Sequence, residues 1–307
     1  MNLITDISQH QKQGAVATIG FFDGVHLGHR YLLQQVSTEA ARRGLHSMAI
    51  TFANHPRHTL CSDYKPCLIT TLDEKIAQLE KTGIDDCVVL DFTHEMAQLS
   101  ARDFMESYLK EKLGVECLII GYDHRFGSNR SEGFIDYTEH GHAIGIDVLR
   151  AEACTAANIT VSSSAVRRFL EAGNVDKAKE CLGHTYTLTG KVVEGQRVGR
   201  QLGFPTANLL VNTEKIVPGR GVYAVRTEID GHKYGAMLNI GWRPTLNNGS
   251  HSTIEVHIFD FNGDLYGKDL TIAYESRLRD EQKFDNLEAL QAQLQADKIT
   301  ARKYFNL

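Results

Sequence analysis

From residue 15 to about 183, short unbroken apolar runs alternate with longer stretches whose apolar positions recur at helical spacing. Ala15 to Ile19, Ser47 to Phe52, Cys87 to Leu90 and Cys117 to Ile120 are predicted as buried strands. Leu27 to Arg43, Leu72 to Lys81, Arg102 to Leu113 and Ala165 to Glu171 are predicted as the helices between and after them. Such alternation predicts an α/β unit built on a parallel sheet, whose ligands lie at the carboxyl ends of strands. After Gly183 the pattern changes. Thr185 to Glu194, Gly221 to Ile229, Lys233 to Ile240, Thr253 to Phe259 and Asp269 to Tyr274 are strand candidates, separated by turn pairs such as Asp230-Gly231 and Asn262-Gly263. These predict an antiparallel β-barrel, closed by a helix from about Asn286 to Tyr304. Two domains follow, 1–183 and 184–307.

Composition narrows the field. The chain has 33 Lys+Arg against 38 Asp+Glu, a net charge of −5, so no global basic field recommends nucleic acid as a partner, and anionic substrates must be caught locally. Its six cysteines, at 61, 67, 87, 117, 154 and 181, form no CxxC pair and no cluster with histidine, which points to reduced cytoplasmic thiols rather than zinc. The stretch MNLITDISQHQKQG lacks the basic and apolar regions of a secretory signal, and the richest apolar runs are strand-length. A cytoplasmic protein with no membrane partner is expected.

The densest chemistry is the segment from Gly20 to Arg30, Gly-Phe-Phe-Asp-Gly-Val-His-Leu-Gly-His-Arg, which follows the first predicted strand and opens the first helix. His26 and His29, with Gly28 between them, can share one side of a helix mouth where a phosphate approaches the backbone. Such a pair suits the α-phosphate of ATP and the charge that develops as pyrophosphate leaves. An isolated His-x-x-His is otherwise a cap and a surface residue. A second anion site is suggested by Val161 to Arg168 at a helix start, where hydroxyls, free N–H groups and an arginine one turn on meet phosphate oxygens; alone it is an ordinary cap. Between them, the loop Gly121-Tyr122-Asp123-His124-Arg125-Phe126-Gly127 follows a strand end, and its plain alternative is a turn with a buried Phe126.

The second half carries Gly195 to Asn208, in which glycines permit a loop over a polyphosphate and Pro205 stiffens the turn presenting Thr206 and Asn208. A hydroxyl and an amide two residues apart suit Mg²⁺, which takes few protein ligands beside substrate phosphates. No GxxxxGK[ST] sequence occurs. Alternation in Thr253 to Phe259 puts Thr253, Glu255 and His257 on one face, and Glu255 is the candidate general base, the alternative being a solvated edge glutamate.

In this order the segments GFFDGVHLGH, TFANHP and GYDHRFG, with the serine motif, resemble the nucleotidylyltransferase superfamily and, within it, the FMN adenylyltransferase half of bacterial bifunctional riboflavin kinase/FAD synthetases. GRQLGFPTANL, GVYAV, NIGWRPT, EVHIFDF and LYGK resemble the riboflavin kinase family. The resemblance implies a Rossmann-like first domain and a small barrel. Riboflavin and ATP would give FMN, then FMN and ATP would give FAD and pyrophosphate, both with Mg²⁺. It also implies an ATP site of Gly20, Phe21, Asp23, Gly24, His26, Gly28, His29, Asp123, Arg125, Ser163, Ser164 and Arg167, with His26 and His29 taking part in the chemistry. Phe52, His55, Pro56 and Phe126 would border the flavin. In the second domain Gly195, Gly199, Arg200, Pro205, Thr206 and Asn208 would hold Mg–ATP, Thr206 and Asn208 as metal ligands, with Glu255 as base and Asn239, Arg243 and Arg279 at the flavin. Two positions depart from the pattern: His124 replaces a phenylalanine, and Thr160 stands where relatives carry a basic residue. They keep open a kinase with an idle adenylyltransferase half. A flavin- or nucleotide-binding gene regulator would need a helix-turn-helix or basic stretch, and an aminoacyl-tRNA synthetase a second, lysine-containing signature; neither is found. Self-association is left open by the sequence.

Overall fold

The computed structural model describes residues 1–54, 67–121, 124–128, 132–152, 161–195, 198–244 and 250–306, without the side chains of 198, 242–244 and 250–252. Its chain divides into two compact units, Met1–Ser162 and Ser163–Leu307.

The first unit holds a six-stranded parallel sheet of β1 (Asn2–Ile4), β2 (Ala15–Ile19), β3 (His46–Phe52), β4 (Asp86–Leu90), β5 (Val115–Ile120) and β6 (Asp147–Arg150), in the order β1-β4-β3-β2-β5-β6. The inner strands are buried almost throughout, as expected where helices cover both faces. Edge strands β1 and β6 each bury a single residue, so they carry no apolar run and escape a reading by hydrophobicity. Helices α1 (Leu27–Arg43), α2 (Leu72–Glu80), α3 (His94–Gln98), α4 (Ala101–Phe104, continued by a π-helical turn over Met105–Lys110) and α5 (Phe134–Ile144) fill the connections. Two apolar clusters result, one containing Ile19, Ile50, Leu118 and Tyr137, the other Val16, Leu33, Ala49 and Ile119. The strand order gives the site its place: from β2 the chain moves outward through β3 and β4 on one side, then returns to β5 on the other. That reversal opens a crevice at the carboxyl ends of β2 and β5.

The second unit begins with α6 (Ser163–Glu171) and α7 (Val175–Leu182). Lys179 of α7 pairs at 2.8 Å with Glu275 and Asp176 accepts from Ser276, which ties this helix to the barrel. The barrel comprises β7 (Thr187–Val193), β8 (Ala207–Val211), β9 (Gly221–Ile229), β10 (His232–Pro244), β11 (Ser250–Ile258) and β12 (Asp269–Arg279), closed in the order β10-β11-β8-β7-β12-β9 with every pair antiparallel. Short helix α8 (Val198–Gln201) precedes β8, and α9 (Leu287–Phe305) ends the chain, capped by Asn286. Asp230-Gly231 forms the expected two-residue hairpin: both have positive φ, 51° and 78°, and Ile229 pairs with His232. Asn262-Gly263 does not close a hairpin, because β11 pairs with β10 and β8 while β12 pairs with β7 and β9. Two strands intervene, β8 and β7, and β8 starts at the end of the segment read from sequence as a phosphate loop.

Candidate functional site

At the carboxyl end of β2 the chain makes a strained turn before entering α1: Phe22, Gly24 and Val25 all have positive φ, 52°, 80° and 39°. Asp23 holds this turn. Its buried carboxylate accepts from the backbone N–H groups of Ile69 (3.0 Å) and Thr70 (2.9 Å), and the Thr70 hydroxyl accepts from Gly24 N–H. His26 then caps α1, Nδ1 accepting from the His29 N–H at 3.2 Å, so that a neutral His26 carries its proton on Nε2. A Cβ at position 28 would press on this ring at 3.3 Å, which is why glycine stands between the two histidines. Their rings stack with centroids 3.6 Å apart, and Phe22 meets His29 edge-on at 5.2 Å.

Two protonated imidazoles at that separation would repel strongly. His29 is held well below the ordinary histidine value, first by burial and then by the like charges of His26, His124 and Lys75. The buried His29 ring is thus held uncharged, beside the helix N-terminus where N–H donors meet an anion. Gly20, Phe21, Asp23, Gly24, His26, Gly28 and His29 come together here, and His124, after β5, is near enough for its charge to act on His29. Arg125 is exposed. Phe126 stacks on Tyr137 at 4.3 Å and joins the apolar core, while Phe52 is buried edge-on to Phe92. Ser163, Ser164 and Arg167 open α6 in the second unit, Ser164 exposed and Arg167 half-buried. His55, Pro56, Asp123 and Thr160 lie outside the described residues, as does the side chain of Arg243.

The barrel site is a row of paired residues. Asn208 of β8 stands opposite Glu255 of β11, which stands opposite Asn239 of β10; Asn239 faces Val222 of β9, and Val222 faces Arg279 of β12. Directly paired residues share a face, so these side chains line the outer surface of the barrel, opposite the buried Ile254, Val256 and Ile258. Above the row lies a cavity of about 350 Å³, walled by Leu202 and Phe204 on one side and by Phe284, Leu290 and Leu294 on the other. Asn239, Glu255, His257 and Arg279 reach into its lining. A second cavity of about 510 Å³ is bordered by Arg200, Pro205, Ala207 and the turn from Phe261 to Tyr266. Thr206 lines both, its hydroxyl 3.5 Å from Glu255 Oε2. Gly195 and Gly199 are required sterically: a Cβ on the first would collide with the Asn208 amide, on the second with the Phe204 carbonyl.

Three participants escaped the sequence reading. Lys75, 2% exposed, donates to the Phe52 carbonyl at 2.7 Å; in sequence it reads as one more charged residue of a capped helix start. Asp297, 4% exposed, accepts a forked pair of bonds from Arg279 at 2.9 and 2.7 Å and fixes that guanidinium beneath α9. His257 donates from Nδ1 to the Pro205 carbonyl at 2.9 Å, anchoring the Pro205–Thr206 turn, and burial lowers its pKa. Its placement on the Glu255 face was legible from alternation, its anchoring role was not.

The family model for FAD synthetase matches residues 8–165 and that for riboflavin kinase matches residues 182–305. The bifunctional riboflavin kinase/FMN adenylyltransferases of Escherichia coli K12, Pseudomonas fluorescens and Bacillus subtilis are 37%, 38% and 35% identical, over 99%, 95% and 97% of this chain and 97%, 93% and 95% of theirs. A crystal structure from Streptococcus pneumoniae, described as a macrolide-efflux protein, shares the fold at a TM-score of 0.88 and 31% identity over 98% of both chains. In the present chain no helix among the described residues is long and apolar enough to cross a membrane. The chain belongs to the bacterial bifunctional riboflavin kinase/FMN adenylyltransferase, or FAD synthetase, family.

Proposed function

We propose that the chain makes flavin cofactors in two ATP-dependent steps, phosphorylating riboflavin at the barrel site and adenylylating the resulting FMN at the imidazole site. The observation that carries the first assignment is the meeting of two cavities at Thr206, whose hydroxyl lies 3.5 Å from Glu255. In this reading the apolar cavity under α9 takes the isoalloxazine ring, with Asn239, Arg243 and Arg279 as its polar contacts. The cavity beside Arg200 and Pro205 takes ATP, under the Gly195 and Gly199 loop. Glu255 then accepts the proton of the ribityl 5′-hydroxyl as that oxygen attacks the γ-phosphorus and ADP departs. Thr206 and Asn208 offer a hydroxyl and an amide oxygen, a donor set that suits Mg²⁺ with its shell of water and phosphate oxygens. Bound there, Mg²⁺ would neutralise charge on the phosphates.

In the first unit, N–H groups of His26, His29 and the first turn of α1 hold the α-phosphate of a second ATP. An FMN phosphate oxygen attacks that phosphorus, pyrophosphate leaves, and the imidazoles stabilise the charge that develops. Asp23 acts by fixing the turn that presents them. Asp123 and Arg125 are assigned to the same polyphosphate, and Phe52, His55, Pro56 and Phe126 to the border of the flavin. The functional division is taken at residue 183, leaving α6 and α7 with the adenylyltransferase, and the enzyme is placed in the cytoplasm.

The test is to supply the full-length chain with riboflavin, ATP and Mg²⁺ and separate the flavins. FMN followed by FAD is expected. FMN that accumulates without FAD would leave a kinase alone, and no turnover would remove the assignment.

A further inference from the structure

The first unit contains a buried cation that the reaction scheme above leaves unused. Lys75, in α2, has one oxygen partner, the Phe52 carbonyl at the end of β3, and its ammonium lies 4.1 Å from the centroid of the Phe21 ring. Among the described residues no carboxylate forms an ion pair with it. It occupies the junction of three segments: the end of β3, the turn after β2, and the Ile69–Thr70 stretch bound by Asp23. Burying an ammonium is unfavourable unless it is partnered, and the Phe52 carbonyl, the Phe21 ring and the charge of Asp23 are its partners.

We propose that Lys75 is a positioning residue of the adenylyl-transfer site, its ammonium tying the Phe21 end of the turn that presents His26 and His29 to the carbonyl at the end of β3. The inference rests on the assignment of those histidines to the ATP phosphates. After burial, the charge of Lys75 is one of the like charges that penalise protonation of His29, so that ring meets the anion as an N–H donor. The groups facing His29 are His26, His124 and Lys75, and those facing Lys75 include Asp23 and Cys87. Burial lowers the Lys75 pKa to about 8, partly opposed by Asp23, so its charge is present at neutral pH and is lost in mildly alkaline solution.

The experiment measures FAD formation from FMN and ATP across pH for the full-length chain and for Lys75→Met, Lys75→Arg and His29→Gln, with FMN formation from riboflavin as the control in the same molecules. Lys75→Met is expected to slow FAD formation about tenfold. It should also move the acid limb of the profile to higher pH, because His29 now protonates more readily. Lys75→Arg should return the limb towards its original position, and FMN formation should stay within about twofold throughout. Lys75→Met with an unchanged rate, or with a lower rate and an unmoved acid limb, would overturn the proposal. His29→Gln with full FAD formation would remove the site assignment and the proposal together. If Lys75→Met fails to fold, the C2–H resonance of His29 in the unaltered chain decides: an inflection near pH 8 as Lys75 loses its proton supports the coupling, and a curve without one overturns it.

Discussion

The two units build their candidate sites in opposite ways. In the parallel-sheet unit the site is built along the chain: from Gly20 to His29 a single turn and the helix it opens provide the strained backbone, the capping ring and the stacked partner, at the point where the strand order reverses. In the barrel unit the site is built across the chain, from residues on β8, β11, β10 and β12 that share one row only because of strand register. The first depends on local backbone geometry, the second on the barrel holding its pairing. Damage should therefore spread differently: a local change disables one step in the first unit, whereas the barrel site is sensitive to register and to the helix packed over it.

The largest effect is expected from Glu255→Gln, which keeps the shape of the row and removes the base: riboflavin phosphorylation should fall by about 10²- to 10⁴-fold, measured as FMN formed, while supplied FMN is still converted to FAD. Next is His29→Ala, which should lower FAD formation by about 10²- to 10³-fold and leave FMN formation intact. Asp23→Ala leaves the N–H groups of Ile69 and Thr70 without their acceptor and should destabilise the first unit by about 1–3 kcal/mol, read by thermal or denaturant unfolding, with FAD formation lost before FMN formation on warming. The smallest is a pH effect. Burial depresses the His29 pKa in the folded chain below its ordinary 6.5, so the neutral ring contributes stability that is full above that value and declines as pH falls below it. His29→Phe should flatten that decline, as measured by unfolding between pH 7 and 5.

How much was legible follows the same contrast. The Gly20–His29 site could be read as a string because its parts are adjacent, and even the role of Gly28 follows from spacing, although its nearest constraint is the His26 ring. The inner strands were legible from unbroken apolar runs. Edge strands β1 and β6 were not, because one face of each meets solvent, and α5 was obscured by Gly141, whose missing side chain makes room for the Ile146 carbonyl and Val148. In the barrel the motifs marked Thr206, Asn208 and Glu255, but the adjacency of Asn208, Glu255 and Asn239 needed the register. Lys75 and Asp297 were illegible for a common reason: each is a charged residue in a polar helix segment, and only tertiary packing reveals that it is buried.

Separateness of the two candidate sites, the imidazole pair and the barrel row, is what the assignment of one reaction to each depends on. It is tested most directly by separating the flavin products of the unaltered chain, of His29→Ala and of Glu255→Gln, each given either riboflavin or FMN with ATP and Mg²⁺. The account predicts that His29→Ala turns riboflavin into FMN and stops there, and that Glu255→Gln ignores riboflavin yet turns FMN into FAD. Variants that each lose both conversions to the same extent would contradict it.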